Sequence, residues 1–215
     1  MHKNLFCIFL LIIILSINVH AQVHSCGDPL ADIRDDRIYK TVLIGNQCWM
    51  AENLNAGVMV NNFGQAQNGI IEKTCYNNDA DLCEVYGGLY TWHEAMEDIC
   101  PVGWHLPSNE EWSELNDFLG IKETGTHMKS APDDRPAWDG DNSSGFSAIP
   151  SGVGQSNYFG RLGHWAVYWS STGEDTEYAW FAQLDNHWYL DKYTILYQGN
   201  HFLKTNGFSV RCIKD

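Results

Sequence analysis

Asp139, Asp141 and Asn142 stand within four residues of one another, and their side-chain oxygens are the ligand type that a hard cation such as Ca2+ takes. Asp/Asn/Gly/Ser runs also make ordinary turns, so the spacing admits a cation site without requiring one. Flat rings form the second candidate set. Tyr158 lies in a polar loop, and Trp188 and Tyr189 follow the Asp185-Asn186 turn, where ring faces could stack on the apolar faces of a sugar. Trp138 and Trp165 belong to the same aromatic-rich half of the chain, although single rings more often fill a core. His105, between Trp104 and Leu106, has the setting of a core histidine rather than of a general base. Glu110 and Glu111 fall in the first turn of an expected helix, where the helix dipole favours anions. No Gly-x-Ser-x-Gly, His-Glu-x-x-His or phosphate-binding loop occurs. No catalytic residue is assigned, and no cofactor is expected beyond an optional Ca2+.

Cysteine chemistry depends on compartment. Lys3 precedes an apolar run from Leu5 to Val19, and Val19-His20-Ala21 has small residues where a signal peptidase reads. The expectation is a signal peptide over residues 1–21 and a single domain over residues 22–215. The run is short for a spanning helix, so no membrane span is expected in the mature chain. Acylation of Cys26 would give a lipoprotein instead, but His24 fits a lipobox badly and Cys26 lies far from the apolar run. Of seven cysteines, Cys7 leaves with the leader. The others, in an exported chain, read as three disulfides. Six cysteines allow 15 pairings, and sequence alone does not choose among them. Spacing hints at Cys75–Cys83 around the polar turn Asn77-Asn78-Asp79, at Cys100–Cys212 across most of the domain, and by elimination at Cys26–Cys48. No C-x-x-C spacing supports a zinc site.

The chain carries 13 basic and 27 acidic residues, a net charge of −14. Such a surface repels phosphate backbones and argues against nucleic acid as a partner. It also keeps an exported domain soluble.

The elements that must position these residues are partly legible. Ile38–Ile44 reads as a strand, Gly45-Asn46 as a turn and Gln47–Ala51 as the returning strand. Residues 55–72 read as loop. Thr91 and Glu94 have capping-box spacing and open a first helix, with Trp92, Ala95, Met96 and Ile99 as its buried stripe. Ser108 and Glu111 open a second, over about Asn109–Leu119. Its apolar face is Trp112, Leu115, Phe118 and Leu119, and Gly120 ends it. Residues 121–163 read as mostly irregular, with Trp138, Phe146, Tyr158 and Phe159 packing that stretch. Strands follow at Trp165–Ser171, Tyr178–Leu184, His187–Leu190 and Phe208–Ile213. The fold class is α+β.

Seven blocks in order give a more specific reading. They are Asp32–Val42, Ile44–Leu54, Tyr86–Trp92, the Cys100–Trp112 stretch, Gly145–Pro150, Tyr168–Ser171 and Phe208–Cys212. Together they resemble the Fibrobacter succinogenes major paralogous domain. The resemblance implies an exported protein of a Gram-negative bacterium of the Bacteroidota–Fibrobacter group. It also implies a C-type-lectin-like fold: two helices packed on short antiparallel sheets, stapled by disulfides, with the termini close together. Cys48 departs from the pattern, where an apolar residue such as Val is expected, and paired with Cys26 it reads as a lineage-specific staple. The resemblance carries no defined activity with it.

Sugar-binding C-type lectins hold Ca2+ through Glu-Pro-Asn or Gln-Pro-Asp and Trp-Asn-Asp; none of these occurs. Leu106–Trp112 is similar in wording to the formylglycine-generating, sulfatase-modifying group, which uses a closely spaced cysteine pair near its C-terminus. Only Cys212 lies there. The expectation is a non-catalytic recognition module at the cell surface, in the periplasm or outside the cell, taking a glycan or protein ligand. A structural or assembly protein of the envelope is the alternative, with an oxidoreductase of the formylglycine-generating type behind it.

Overall fold

A computed structural model describes residues 24–63, 68–156, 158–185 and 202–215. The expected signal peptide lies outside the described residues. β1 (Leu30–Asp32) pairs antiparallel with β2 (Arg37–Tyr39), and β3 (Thr41–Ile44) pairs with β4 (Gln47–Met50) across Gly45-Asn46. The sequence predicts one strand from Ile38 to Ile44, and the structure breaks it at Lys40. There the backbone N–H donates to Glu52 Oε2 (2.7 Å), and the carbonyl accepts from the Ala51 N–H. Within the stretch predicted as loop, β5 (Val58–Met59) and β6 (Glu72–Lys73) form a short parallel pair.

A 3-10 turn at Tyr76–Asn78 leads into α1 (Ala80–Tyr86), capped by the Asp79 carboxylate. The sequence reading has no helix there, because a polar turn between two cysteines masks it. The helix predicted at Thr91–Ile99 contracts to the single turn α2 (Trp92–Ala95). Thr91 caps it, but Glu94 leaves its capping box to accept from the Glu72 N–H at 3.0 Å, and Asp98 takes a positive φ. Ala95 and Ile99 are buried, whereas Met96 is exposed. After β7 (Trp104–His105) comes α3 (Asn109–Leu119), with both halves of the Ser108–Glu111 capping box formed and Gly120 at its end. Trp112 and Leu115 are buried; Phe118, predicted for the same face, is 63% exposed.

The region predicted as irregular holds α4 (Thr124–Met128), β8 (Ser151–Gln155) and β9 (Tyr158–Leu162). Trp138 and Phe146 are buried, as expected of rings that pack a long loop. β10 (Trp165–Gly173) and β11 (Tyr178–Asp185) are the two long strands. β12 (Phe202–Leu203), β13 (Asn206–Gly207) and β14 (Ile213–Lys214) complete the described chain, and the strand predicted at His187–Leu190 lies outside it.

Among the described residues the architecture is mixed α+β with four α-helices rather than two. A curled sheet runs β12-β11-β10-β8-β13 with β9 on β8, and a second runs β3-β4-β14-β7. β10 and β11 are apolar on both faces. Ala166, Tyr168, Ala182 and Leu184 enter one cluster with Trp49, Trp112 and Phe146. Val167, Trp169, Ala179 and Phe181 enter the other with Tyr90, Phe208 and Val210. Period-two alternation thus feeds two cores from one pair of strands.

The segment predicted as the last strand threads between these layers. Phe208 exchanges backbone bonds with Tyr90, Ser209 with Val167 and Trp169, and the Val210 and Cys212 carbonyls accept from Leu54 and Met50. Ile213 then pairs with Trp49 and His105. The disulfides are Cys26–Cys48, Cys75–Cys83 and Cys100–Cys212, the pairs that spacing hinted at. Two of them clamp the β3-β4-β14-β7 sheet, and so hold the beginning and end of the described chain together.

Candidate functional site

A cleft of about 400 Å3 opens between the end of β2, the C-terminal turn of α1 and the Ser130–Pro136 loop. Its lining comes from six separate segments. Arg37 on β2 makes a bidentate pair with Glu84 on α1 (2.7 and 3.0 Å). That pair raises the pKa of Arg37 and lowers that of Glu84. Asn55 donates to Glu84 Oε1 at 3.3 Å, and its backbone N–H donates to the Tyr39 hydroxyl at 3.0 Å. Burial pushes Tyr39 up to about 12, so it is a neutral phenol at any physiological pH. Asn53 donates to the Tyr86 carbonyl and accepts from buried Arg211 at 2.7 Å, which forms the floor. Gly87, at φ +80, lets the α1 end close on this wall; a Cβ there would fall 2.6 Å from Asn53 Cβ.

On the opposite wall, the exposed Arg135 guanidinium donates, among the described residues, only to the carbonyls of Asp133 and Asp134 (3.3 and 2.7 Å). Its peptide to Pro136 is cis. Four of the chain's thirteen basic residues, Arg37, Lys40, Arg135 and Arg211, line this one hollow beside Glu52, Glu84 and Asp134. In a protein this acidic the cleft is a local patch of balanced charge. Asn53, Asn55 and Arg211 are buried, so what it can offer a ligand rich in hydroxyls is the carboxylates of Glu52 and Glu84 and the guanidinium groups of Arg37 and Arg135. No sequence motif marks it, because its residues are spread from Arg37 to Arg211 and meet only through the fold.

The predicted site residues fall elsewhere. Tyr158, on β9, is 69% exposed, and its ring lies over Gly160, where a Cβ would come within 2.9 Å of Tyr158 Cε1. Its outer face is open, but it does not line the cleft. Trp188 and Tyr189 lie outside the described residues. Trp165 is partly buried beneath the Arg161 guanidinium, 4.6 Å from its ring. Asp139, Asp141 and Asn142 turn to three different partners. Asp139 accepts from the buried Lys129 ammonium at 2.8 Å. Asp141 faces His127 Nδ1 at 3.2 Å and accepts from the Ser143 N–H. The Asn142 amide is taken up by Asp134 and Ser147.

One constellation has the residue types of a hydrolytic triad and was not read from the sequence. Ser143 Oγ lies 2.7 Å from His127 Nδ1, and Asp141 reaches the same nitrogen. A base relay needs the acid on one ring nitrogen and the nucleophile on the other. With both on Nδ1, these contacts fasten the loop to α4.

His105 is not a backbone-bonded core histidine. Nδ1 lies 2.6 Å from Asp215 Oδ1 and Nε2 lies 2.8 Å from Glu111 Oε1, so the ring joins the end of β14 to the start of α3. Burial alone would lower its pKa; the hydrogen bonds to Asp215 and Glu111 outweigh burial and carry it above the usual value. A raised folded pKa gives stability that is complete below the unfolded value of about 6.5 and is lost as pH rises through the folded one. Urea midpoints followed from about pH 5.5 to about pH 8.5 should therefore fall, and His105→Gln should remove that slope. A profile identical in the two proteins would refute the bridge.

Comparison with known families matches residues 42–214 to the Fibrobacter succinogenes major domain. No curated protein and no solved structure matches the chain. Among the described residues no helix is long and apolar enough to cross a membrane.

Proposed function

Because the chain belongs to the Fibrobacter succinogenes major domain family, we propose that it is an exported, non-catalytic recognition module with a C-type-lectin-like architecture, acting at the bacterial cell surface or beyond it. Three disulfides support an oxidising, extracytoplasmic setting. The architectural reading is supported by the sheet that unites β3 and β4 with β14, so that early and late chain are joined under two staples. The observation that carries the functional reading is the cleft. Charged groups of both signs surround a concave hollow on a cross-linked base, with exposed Ile38 and Val85 at its edge. Such a mixture of planar polar groups and small apolar surfaces suits the hydroxyls and C–H faces of an oligosaccharide.

A glycan and polysaccharide array with the oxidised protein, run with Ca2+ and with chelator, tests this. The expected result is binding that survives chelation. Arg135→Glu should weaken it at least tenfold while leaving the urea midpoint unchanged, since Arg135 is exposed and holds only neighbouring carbonyls. Loss in chelator would instead direct attention to Asp139 and Asp141. Loss in Tyr158→Ala, with Arg135→Glu unaffected, would move the ligand to the β9 surface. Absence of binding under every condition would favour the structural role in the envelope.

A further inference from the structure

A second hollow, of about 820 Å3, lies between the Gly45-Asn46 turn and the outer face of α3. Its apolar surface is Leu43, 59% exposed, and Phe118, 63% exposed. Phe118 rests against the turn because Gly45 has no side chain; a Cβ there would lie 2.9 Å from the ring. The ring is therefore held in place on one side and open on the other. Single exposed apolar residues are ordinary, but two lining one groove make a prepared surface.

The rim has one sign. Glu110, Glu114 and Asp117 stand four and three residues apart, on a single face of α3 spanning about 10 Å. None of the three forms an ion pair among the described residues, and no Lys or Arg lines the hollow. This contrasts with the cleft, where the acids meet bases. A second copy of the chain would bring the same acids to the same face, and anionic polymers would be repelled. The complementary occupant is cationic with an apolar anchor.

We propose that this groove docks an extended segment of another protein, in which one bulky apolar side chain enters between Leu43 and Phe118 and flanking lysine or arginine residues meet Glu110, Glu114 and Asp117. This surface is separate from the cleft and does not depend on a glycan ligand.

The probes are nine-residue peptides with a central phenylalanine flanked by lysines, the same peptide flanked by glutamates, and a lysine peptide centred on alanine. Binding to the 15N-labelled oxidised protein is followed by amide shifts. The lysine–phenylalanine peptide should move the Gly45, Asn46 and α3 amides and bind at least tenfold more tightly than either control, with affinity falling as salt rises. Phe118→Ala and Glu114→Lys should each weaken it at least tenfold at an unchanged urea midpoint. Equal binding of the two lysine peptides, or shifts spread over the acidic surface and indifferent to both substitutions, would overturn the proposal. So would a dimer abolished by Phe118→Ala, since the groove would then be a self-interface.

Discussion

Replacing Arg211 by alanine is expected to cost on the order of 4 kcal/mol or more of folding stability, among the largest effects of any single substitution in this protein. The side chain is fully buried and forms no ion pair among the described residues. Its guanidinium donates instead to Asn53 Oδ1 (2.7 Å) and to the carbonyls of Met50 (3.1 Å), Phe146 (2.6 Å) and Ser147 (2.9 Å). It also lies over the Phe146 and Tyr168 rings at 4.6 and 5.6 Å. Burial pulls its pKa down, with Tyr168 and Glu52 opposing, but an arginine starts so high that it remains charged. Each hydrogen bond to a charged group is worth about 1.5–3 kcal/mol net, and truncation would leave several acceptors unpaired as well as a cavity. Arg211→Lys should still lose about 2–3 kcal/mol, because an ammonium cannot reproduce a planar fork that spans four acceptors. Urea denaturation of the oxidised proteins measures both. A loss below about 1 kcal/mol for alanine would mean that the buried charge does not organise the fold.

The position of Arg211 also explains how much of this protein could be read from its sequence. Phe208–Ile213 reads as a strand by alternation, but the identity of its neighbours is not local information. Backbone groups of four different segments donate to its backbone or accept from it, and the arginine looks like an exposed residue of an edge strand until Phe146 and Ser147 are folded over it. The elements that were legible satisfy themselves locally. The Ser108–Glu111 capping box, the Gly45-Asn46 turn and the long alternating strands β10 and β11 each carry their determinants within a few residues. α4, which has no side-chain cap, and the one-turn α2 do not. Glu94 is a capping residue by spacing, yet its carboxylate is drawn to the Glu72 N–H, which no window around Thr91 contains.

The candidate sites divide along the same line. A cation cluster is suggested by Asp139, Asp141 and Asn142 because they are adjacent, but adjacency in a turn sends side chains in different directions, and here Lys129, His127 and Ser147 meet them. Arg37, Asn53, Glu84 and Arg135 converge on one cleft with no two of them closer than sixteen residues in sequence. Composition could show an acidic chain; only the fold shows that four of its thirteen bases are gathered in one hollow while Glu110, Glu114 and Asp117 stand without any.

Removing the Cys100–Cys212 disulfide by double alanine substitution should destabilise the protein by about 4–5 kcal/mol, more than removal of either other bridge. It closes a separation of 112 residues, against 22 for Cys26–Cys48 and 8 for Cys75–Cys83. In the chain-entropy account the corresponding losses are about 3–4 and about 2–3 kcal/mol. The folded state has little reason to rearrange when the long bridge is cut. The Cys212 carbonyl still accepts from Met50, Ile213 still pairs with Trp49, and Phe208 still exchanges bonds with Tyr90. The cost therefore falls on the unfolded chain, which gains the freedom to separate β7 from β14. Urea unfolding of the three double variants should rank them by loop length, with a thiol titration of the parent finding no free cysteine among the six. If the Cys75–Cys83 variant proves the least stable, loop entropy is not what the bridges supply. Their role would then lie in holding α1 against the cleft, and disulfide loss would be felt first in ligand binding.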